Sequence, residues 1–260
     1  MITVKETTNQ VCYIEIDRPS KRNALDRATI IKLIEFFKTS TSSTEFNVLV
    51  LSGSNGLFSA GADLAWMKEG MLQTDEDNLT DAQLFNDLYH EMSIYPKPIV
   101  AKVKGGAYGG AIGLMACADM VITSPDAMFK FNETALGLIP ATVAPYIVKK
   151  TGSGIARYLL VSGHQFNGED AIRYGLAHLL VHAEELNTTV RKTAEQMATL
   201  GPQAIKKTKE LLNYLDQKTF TISQETKNYC ASLIATARKS EEGQKRVDSF
   251  LKRNKSRTND

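Results

Sequence analysis

Two short apolar runs in this chain, Asn47-Val-Leu-Val-Leu-Ser52 and Ile99-Val-Ala-Lys-Val103, each lead into a loop of residues with almost no side chain. The loops are Phe58-Ser-Ala-Gly-Ala-Asp-Leu64 and Gly105-Gly-Ala-Tyr-Gly-Gly-Ala111. A brief β-branched and aliphatic run bounded by polar and turn residues predicts a buried strand. A loop of Gly, Ala and Ser then leaves the backbone accessible at the strand's end. Two readings are open. The loops are tight strand-to-helix turns whose small residues serve packing, or they are cradles in which main-chain N–H groups meet a ligand. Two such donors converging on one carbonyl oxygen form an oxyanion hole.

The surrounding chain repeats the order strand, loop, helix. Val11 to Asp17 has strand composition and ends in the turn-forming Arg18-Pro-Ser-Lys-Arg-Asn23. Asp26 is an N-cap type residue ahead of Ile30, Ile31, Leu33, Ile34 and Phe37, whose three-and-four spacing predicts an amphipathic helix. Further helices are predicted over Leu79 to Met92, Ala111 to Cys117, Ala144 to Leu160 and Ala171 to Tyr174, with strands at Val121 to Thr123, Met128 to Phe131 and Leu176 to His182. From Asn187 to Arg253 the spacing is helical almost throughout, broken at Gly201-Pro202 and at Asp216 to Thr221. The order predicts an α/β fold with largely parallel strands over residues 1–190 and a helical C-terminal region over 191–260. At 260 residues and 43% hydrophobic, the chain has the apolar material for one sizeable core.

Several function classes drop out. A net charge of +2 supplies no global field for nucleic acid or anionic lipid. The basic clusters Lys206-Lys-Thr-Lys209 and Lys252-Arg-Asn-Lys-Ser-Arg257 lack interleaved aromatic residues, so they read as solvated faces rather than an RNA site. Gly105 to Gly110 does not space its glycines as a dinucleotide fingerprint does, and Gly56 to Gly61 is followed by Ala62-Asp63 where a phosphate loop needs Lys and Ser or Thr. No GxSxG elbow occurs, and His90-Glu91 has no second histidine one turn on. His90, His164, His178 and His182 read as surface or polar-core residues. Cys12, Cys117 and Cys230 lie far apart, which fits a reducing compartment and provides no metal site. No secretory signal is evident, and the longest uncharged apolar stretch, Gly105 to Ala118, falls short of the roughly 20 residues of a spanning helix. A cytoplasmic protein with no membrane partner is expected.

At the two small-residue loops a resemblance becomes specific. Ser59-Ala-Gly-Ala-Asp-Leu64, Gly105-Gly-Ala-Tyr-Gly-Gly110 and Glu133-Thr-Ala-Leu-Gly-Leu-Ile-Pro140 resemble, in order and spacing, the three signature segments of the enoyl-CoA hydratase/isomerase (crotonase) superfamily. Arg18-Pro-Ser-Lys-Arg-Asn-Ala-Leu25 is similar to that family's first coenzyme A contact loop, and Ser240 to Arg253 to its C-terminal helix, so the resemblance covers essentially the whole chain. It implies a crotonase (ClpP-like) spiral of repeated ββα units, a helical C-terminal part that trimerises, and a homotrimer or dimer of trimers. The substrate it implies is an acyl-CoA thioester, with coenzyme A carried by the substrate and no separate cofactor.

Carried over by position, the N–H groups of Ala62 and Gly110 would hold the thioester oxygen and stabilise an enolate. Lys21, Arg22, Ala24, Ala60, Asp63, Leu64, Gly109 and Pro140 would contact substrate or coenzyme A. Glu133 falls at the place of one of the two catalytic glutamates of a typical hydratase, and Gly113 at the place of the other. Gly113 together with Pro140-Ala-Thr-Val-Ala-Pro145 looks like the bacterial methylglutaconyl-CoA hydratase group, whose substrates carry a second carboxylate. Trp66 and Met67 read as packing or acyl-pocket residues. Hydration of a glutaconyl-type 2-enoyl-CoA is the leading expectation. The alternatives are a 3,2-enoyl-CoA isomerase or a glutaconyl thioester decarboxylase using one glutamate, and a non-catalytic acyl-CoA- or RNA-binding module.

Overall fold

A computed structural model of the chain describes residues 1–70, 72–216 and 241. By packing the chain divides into two units, Met1–Met197 and Ala198–Asp260. The first unit opens with strands β1 (Ile2–Thr8) and β2 (Val11–Ile16), an antiparallel pair in which Thr8 faces Val11. Asn9 and Gln10, which join them, both have positive φ (50° and 63°), as a two-residue hairpin turn of matching twist requires. Beyond β2 the sheet is parallel: β3 (Val48–Gly53), β4 (Ile99–Val103), β6 (Met120–Thr123) and the short β9 (Leu179–Leu180) follow side by side. These strands are nearly continuous in apolar residues because helices cover them.

A second sheet holds β5 (Gly106–Tyr108), β7 (Met128–Lys130) and β8 (Phe166–Asn167). Two single bridges lengthen it, Ser59 with Ala107 and Leu25 with Ala62. Each turn of the chain therefore gives one strand to the large sheet, one strand or bridge to the small sheet, and then a helix. The sequence runs β2, Leu25, α1 (Arg27–Thr39); β3, Ser59 to Ala62, α2 (Leu64–Gly70) and α3 (Asp75–Ile94); β4, β5, α4 (Gly110–Cys117); β6, β7, α5 (Ala144–Ser162). That recurrence is the spiral of repeated ββα units that the resemblance implies. Helices α6 (Gly168–Arg173) and α7 (Leu186–Ala198) complete the unit, and the second unit contributes α8 (Pro202–Asp216). Phe37, Phe58, Tyr89, Tyr95, Phe129 and Phe131 are the largest side chains of the core.

The fold differs locally from the sequence reading. Strand β1 was masked by Thr3, Lys5, Glu6 and Thr7, the polar content that an exposed edge strand carries to discourage further pairing. The segment read as a glycine-rich turn includes β5, because a Cβ on Gly106 would lie 1.9 Å from the Met128 carbonyl oxygen and only glycine lets the two backbones pair so closely. Leu176 to His182 contains only the two-residue β9, and α2 was not anticipated. The break at Asp216 to Thr221, the helix at Ser240 to Arg253, Cys230 and the cluster at Lys252 to Arg257 lie outside the described residues except for Asp216 and Glu241. No described helix is long and apolar enough to cross a membrane.

Candidate active site

The site begins with a knot between the first two turns of the spiral. Asn23 is buried in the left-handed region (φ 56°), and its side-chain amide donates to the carbonyls of Ser54 and Leu57, at 2.7 Å each. Its oxygen accepts from the Arg18 N–H and the Ser54 hydroxyl. The Ser59 hydroxyl donates to the Asn23 carbonyl at 2.7 Å and accepts from the Gly61 N–H, while Ala60 N–H reaches the Arg22 carbonyl. Arg18 bridges Asp26 and Asp63 at 2.9 Å each and also meets the Ala24 carbonyl. Burial pushes the Asp63 carboxyl up, but the Ala65 N–H and Arg18 outweigh it and hold the group below the ordinary range. Asp63 thus caps the start of α2 as a buried anion.

These contacts aim one backbone donor. Leu25 N–H reaches the Gly61 carbonyl at 2.7 Å and Asp63 N–H the Leu25 carbonyl at 3.0 Å, so Ala62 lies between two fixed peptides. The second donor arises at the head of α4. Gly110 is the first helical residue, where an N–H has no intrahelical acceptor. Among the described residues neither the Ala62 nor the Gly110 N–H has a hydrogen-bond partner. Both residues are half-buried.

Glu133 follows β7 and precedes a single 3-10 turn at Thr134–Leu136. Its Oε1 lies 3.0 Å from where a Cβ on Gly109 would stand, which puts the carboxylate against the peptide that carries the Gly110 donor. Its Oε2 is buried without a partner. Burial pushes the Glu133 carboxyl up from its usual value, the environment that suits a carboxylate to accept and return a proton near neutral pH. Gly113, the other position to which the resemblance assigned chemistry, has no room for a side chain. A Cβ there would fall 2.5 Å from Cζ of Tyr89, whose ring occupies that space.

Two cavities meet at Ala62. One, of about 480 Å³, is lined by Lys21, Arg22, Ala24, Ala60, Asp63 and Leu64, together with Tyr108 and Asn132. The Arg22 guanidinium lies 6.0 Å from the Tyr108 ring centre. The other, of about 350 Å³, is lined by Trp66, Met67, Asp81, Phe85 and Leu138 among others, and among the described residues no lysine or arginine lines it. Trp66 stacks on Phe85, and its indole N–H donates to Asp81, which also holds Arg27. Two cationic side chains, Lys21 and Arg22, on one side of Ala62 and the mostly apolar lining of Trp66, Met67, Phe85 and Leu138 on the other suit a thioester with a long polar tail and an apolar acyl group.

Comparison with known proteins decides the family. The enoyl-CoA hydratase/isomerase family model matches residues 6–259. This chain belongs to that family. In a Legionella pneumophila structure assigned to the enoyl-CoA hydratase/isomerase (crotonase) group, 96% of the chain superposes on 97% of this one, with a TM-score of 0.90 and 35% identity. A carnitinyl-CoA dehydratase of Proteus mirabilis is 30% identical over 207 residues, 79% of this chain and 77% of that protein. A 2,3-dehydroadipyl-CoA hydratase of Escherichia coli is 26% identical over 245 residues, 94% of this chain and 93% of that one. The protein is accordingly an enzyme of the hydratase (lyase) type acting on an acyl-CoA thioester.

Within this hydratase/isomerase chain, the residues singled out from sequence gather as follows. Glu133 lies against Gly109, the Gly61 position before Ala62 packs on Tyr108 and Gly109, and Lys21, Arg22, Ala24, Ala60, Asp63 and Leu64 line the groove. Pro140 lines neither cavity, and its carbonyl accepts from Ala144 N–H at the head of α5. Arg18, Asn23, Tyr89 and Asn132 escaped the sequence reading. Arg18 and Asn23 lie inside the Arg18 to Leu25 loop, but only the structure shows that they tie loops together, and Tyr89 is one aromatic in the helix predicted over Leu79 to Met92.

Proposed function

We propose that this enzyme adds water across the double bond of a 2-enoyl-CoA whose acyl group carries a second carboxylate, of the glutaconyl type. The observation that carries the hydration step is Glu133, one half-buried carboxylate with an unpartnered oxygen beside the Gly109–Gly110 peptide. In this reading the thioester oxygen accepts from the Ala62 and Gly110 N–H groups, which draws electron density from C3. Glu133 takes a proton from water as its oxygen bonds to C3, and charge moves into an enolate held by the two donors. The enolate collapses by taking a proton at C2 from the Glu133 carboxylic acid. One water is consumed and the carboxylate is regenerated, so a single side chain serves as base and then acid.

The finer substrate class rests on Gly113 occurring with Pro140-Ala-Thr-Val-Ala-Pro145. A relative named for a dehydroadipyl thioester, whose acyl group ends in a second carboxylate, supports it. The mostly apolar cavity offers no lysine or arginine among the described residues, so the second carboxylate stays at its solvent-open side, where water keeps it hydrated. The assembly in this reading is a homotrimer or dimer of trimers. A cytoplasmic setting fits the free thiols of Cys12 and Cys117. Kinetics with crotonyl-, 3-methylglutaconyl- and 3-enoyl-CoA test the reading. Water addition with a higher kcat/KM for the methylglutaconyl thioester is expected. A preference for crotonyl-CoA removes the substrate class, and double-bond migration without water addition removes the hydration reading in favour of an isomerase.

A further inference from the structure

Tyr89 is fully buried on α3, and its hydroxyl donates to the Gly110 carbonyl at 2.7 Å. It reaches that carbonyl through a notch in α4. Gly110 and Gly113 are three residues apart on one helix face, and neither has a side chain to fill the space. A Cβ at Gly110 would lie 3.0 Å from the Tyr89 hydroxyl, and one at Gly113 would lie 2.5 and 2.6 Å from ring carbons. Phe85 and Tyr146 flank the ring, with centres 6.0 and 5.2 Å away. Burial holds the phenol far above its ordinary pKa, so it remains a donor at any working pH.

The Gly110 N–H belongs to a Gly–Gly peptide, the backbone step with the greatest conformational freedom. Hydrogen bonds restrain it on both sides. Gly109 N–H reaches the Lys130 carbonyl at 2.9 Å on one side, and the peptide's own carbonyl accepts from Ile112 N–H at 2.9 Å. On the other side the Gly110 carbonyl, in the first turn of α4, accepts from the Tyr89 hydroxyl in addition to the helix's own N–H donor. The Ala62 donor is held differently, by main-chain bonds to Leu25 on both flanks.

We propose that Tyr89 is a positioning residue that fixes the direction of the Gly110 N–H and thereby how strongly the site polarises a bound thioester carbonyl. The inference rests on reading Ala62 and Gly110 as the oxyanion donors. It assigns Tyr89 no proton transfer and no contact with substrate. Its consequence is selective: loss of the hydroxyl weakens the hold on the transition state, where the oxygen is most negative, more than the hold on the ground state.

Tyr89→Phe tests this, because it keeps the ring and removes the donor. Losing an oxyanion donor altogether costs about 10²–10³ in kcat, and misaiming one costs part of that, so a fall of about tenfold to a hundredfold is expected. KM for crotonyl-CoA should change little. The distinguishing readout is the infrared carbonyl stretch of bound butanoyl-CoA, whose saturated chain cannot take up water. Wild type should lower this frequency relative to the free thioester, and Tyr89→Phe should return it part of the way. Gly113→Ala, which displaces the ring but keeps the hydroxyl, should give the same spectral change, and if it does not fold Tyr89→Phe decides alone. A Tyr89→Phe enzyme with an unaltered frequency overturns the proposal, whatever its rate. A wild-type enzyme that leaves the frequency at its free value overturns the oxyanion reading and this inference with it.

Discussion

Replacing Glu133 by Gln should slow the enzyme and stabilise its fold, two opposite effects of one carboxylate. In the wild type Oε2 is buried without a hydrogen-bond partner, and burial raises the pKa of the group. The folded chain therefore holds this proton more tightly than the unfolded chain does. Its favourable contribution is complete below the unfolded pKa and is lost as pH rises through the folded one. At neutral pH the wild type carries the cost of an ionised, incompletely solvated carboxylate, which a neutral amide does not share. Thermal melts should show Glu133→Gln gaining on the wild type between mildly acid and neutral pH, with no further gain above. The rate works the other way. Loss of a positioned acid–base group costs roughly 10²–10⁴-fold, or about 2.7–5.4 kcal/mol of barrier. The assay is the disappearance of the conjugated thioester's ultraviolet absorbance, read with coenzyme A affinity as a control for an intact groove. Near-wild-type turnover would falsify the role of Glu133. A stability difference independent of pH would show that the carboxylate is solvated and that burial does not set its proton affinity.

The other perturbations act on the scaffold around that carboxylate. Gly109→Ala places an L-residue at φ 49°, ψ −127° with its Cβ 3.0 Å from Glu133 Oε1, so a loss of roughly 1–3 kcal/mol and a displaced base are expected; unchanged denaturation midpoint and kcat would contradict this. Asn23→Ala leaves the Ser54 and Leu57 carbonyls without their side-chain donor and should cost roughly 2 kcal/mol or more in urea unfolding, with KM for the thioester rising as the Arg18 to Leu25 loop loosens. Gly113→Glu drives a side chain into the Tyr89 ring and should lower stability by roughly 1–3 kcal/mol or more; a variant as stable as wild type would mean that the notch in α4 can open. The acid limb of the pH–rate profile should lie above the ordinary carboxylate range, because Glu133 must be ionised to take the proton from water; a limb within that range would separate the titration from the burial of Glu133.

The two small-residue loops were legible because their chemistry is local: a buried strand followed by Ser59-Ala-Gly-Ala62 or Gly105-Gly-Ala-Tyr-Gly-Gly110 exposes backbone whatever surrounds it. Helix α1 was legible for the same reason, with Asp26 accepting from Thr29 N–H as an N-cap should. What could not be read is what depends on a distant partner. Strand β1 is held by its pairing with β2 and not by an apolar pattern of its own. Arg18 binds Asp63, and Tyr89 meets Gly110, because the spiral returns to the same place one turn later. The meaning of Gly113 changed most. In the sequence it was a missing glutamate, and in the structure it is the clearance for a tyrosine.

That change bears on how the site is specified. In the proposed reading both electrophilic groups are main-chain N–H groups, which every residue except proline possesses, so their identity cannot be encoded by choosing a functional side chain. It is encoded by leaving side chains out. Gly61 lets the Tyr108 carbonyl approach to 2.4 Å from where a Cβ would be, Gly106 admits Met128, Gly109 admits the Glu133 carboxylate and Gly113 admits the Tyr89 ring. Each omission brings in a specific neighbour, and each neighbour then restrains a peptide that glycine alone would leave free. Substitutions at these glycines should therefore reduce activity through geometry while leaving Glu133 chemically intact, so their pH–rate profiles should keep the wild-type acid limb even as kcat falls. Loss of Glu133 itself should remove that limb. A glycine variant that folds, loses rate and also loses the limb would show that the small residues set the proton affinity of Glu133 and not only the aim of the donors.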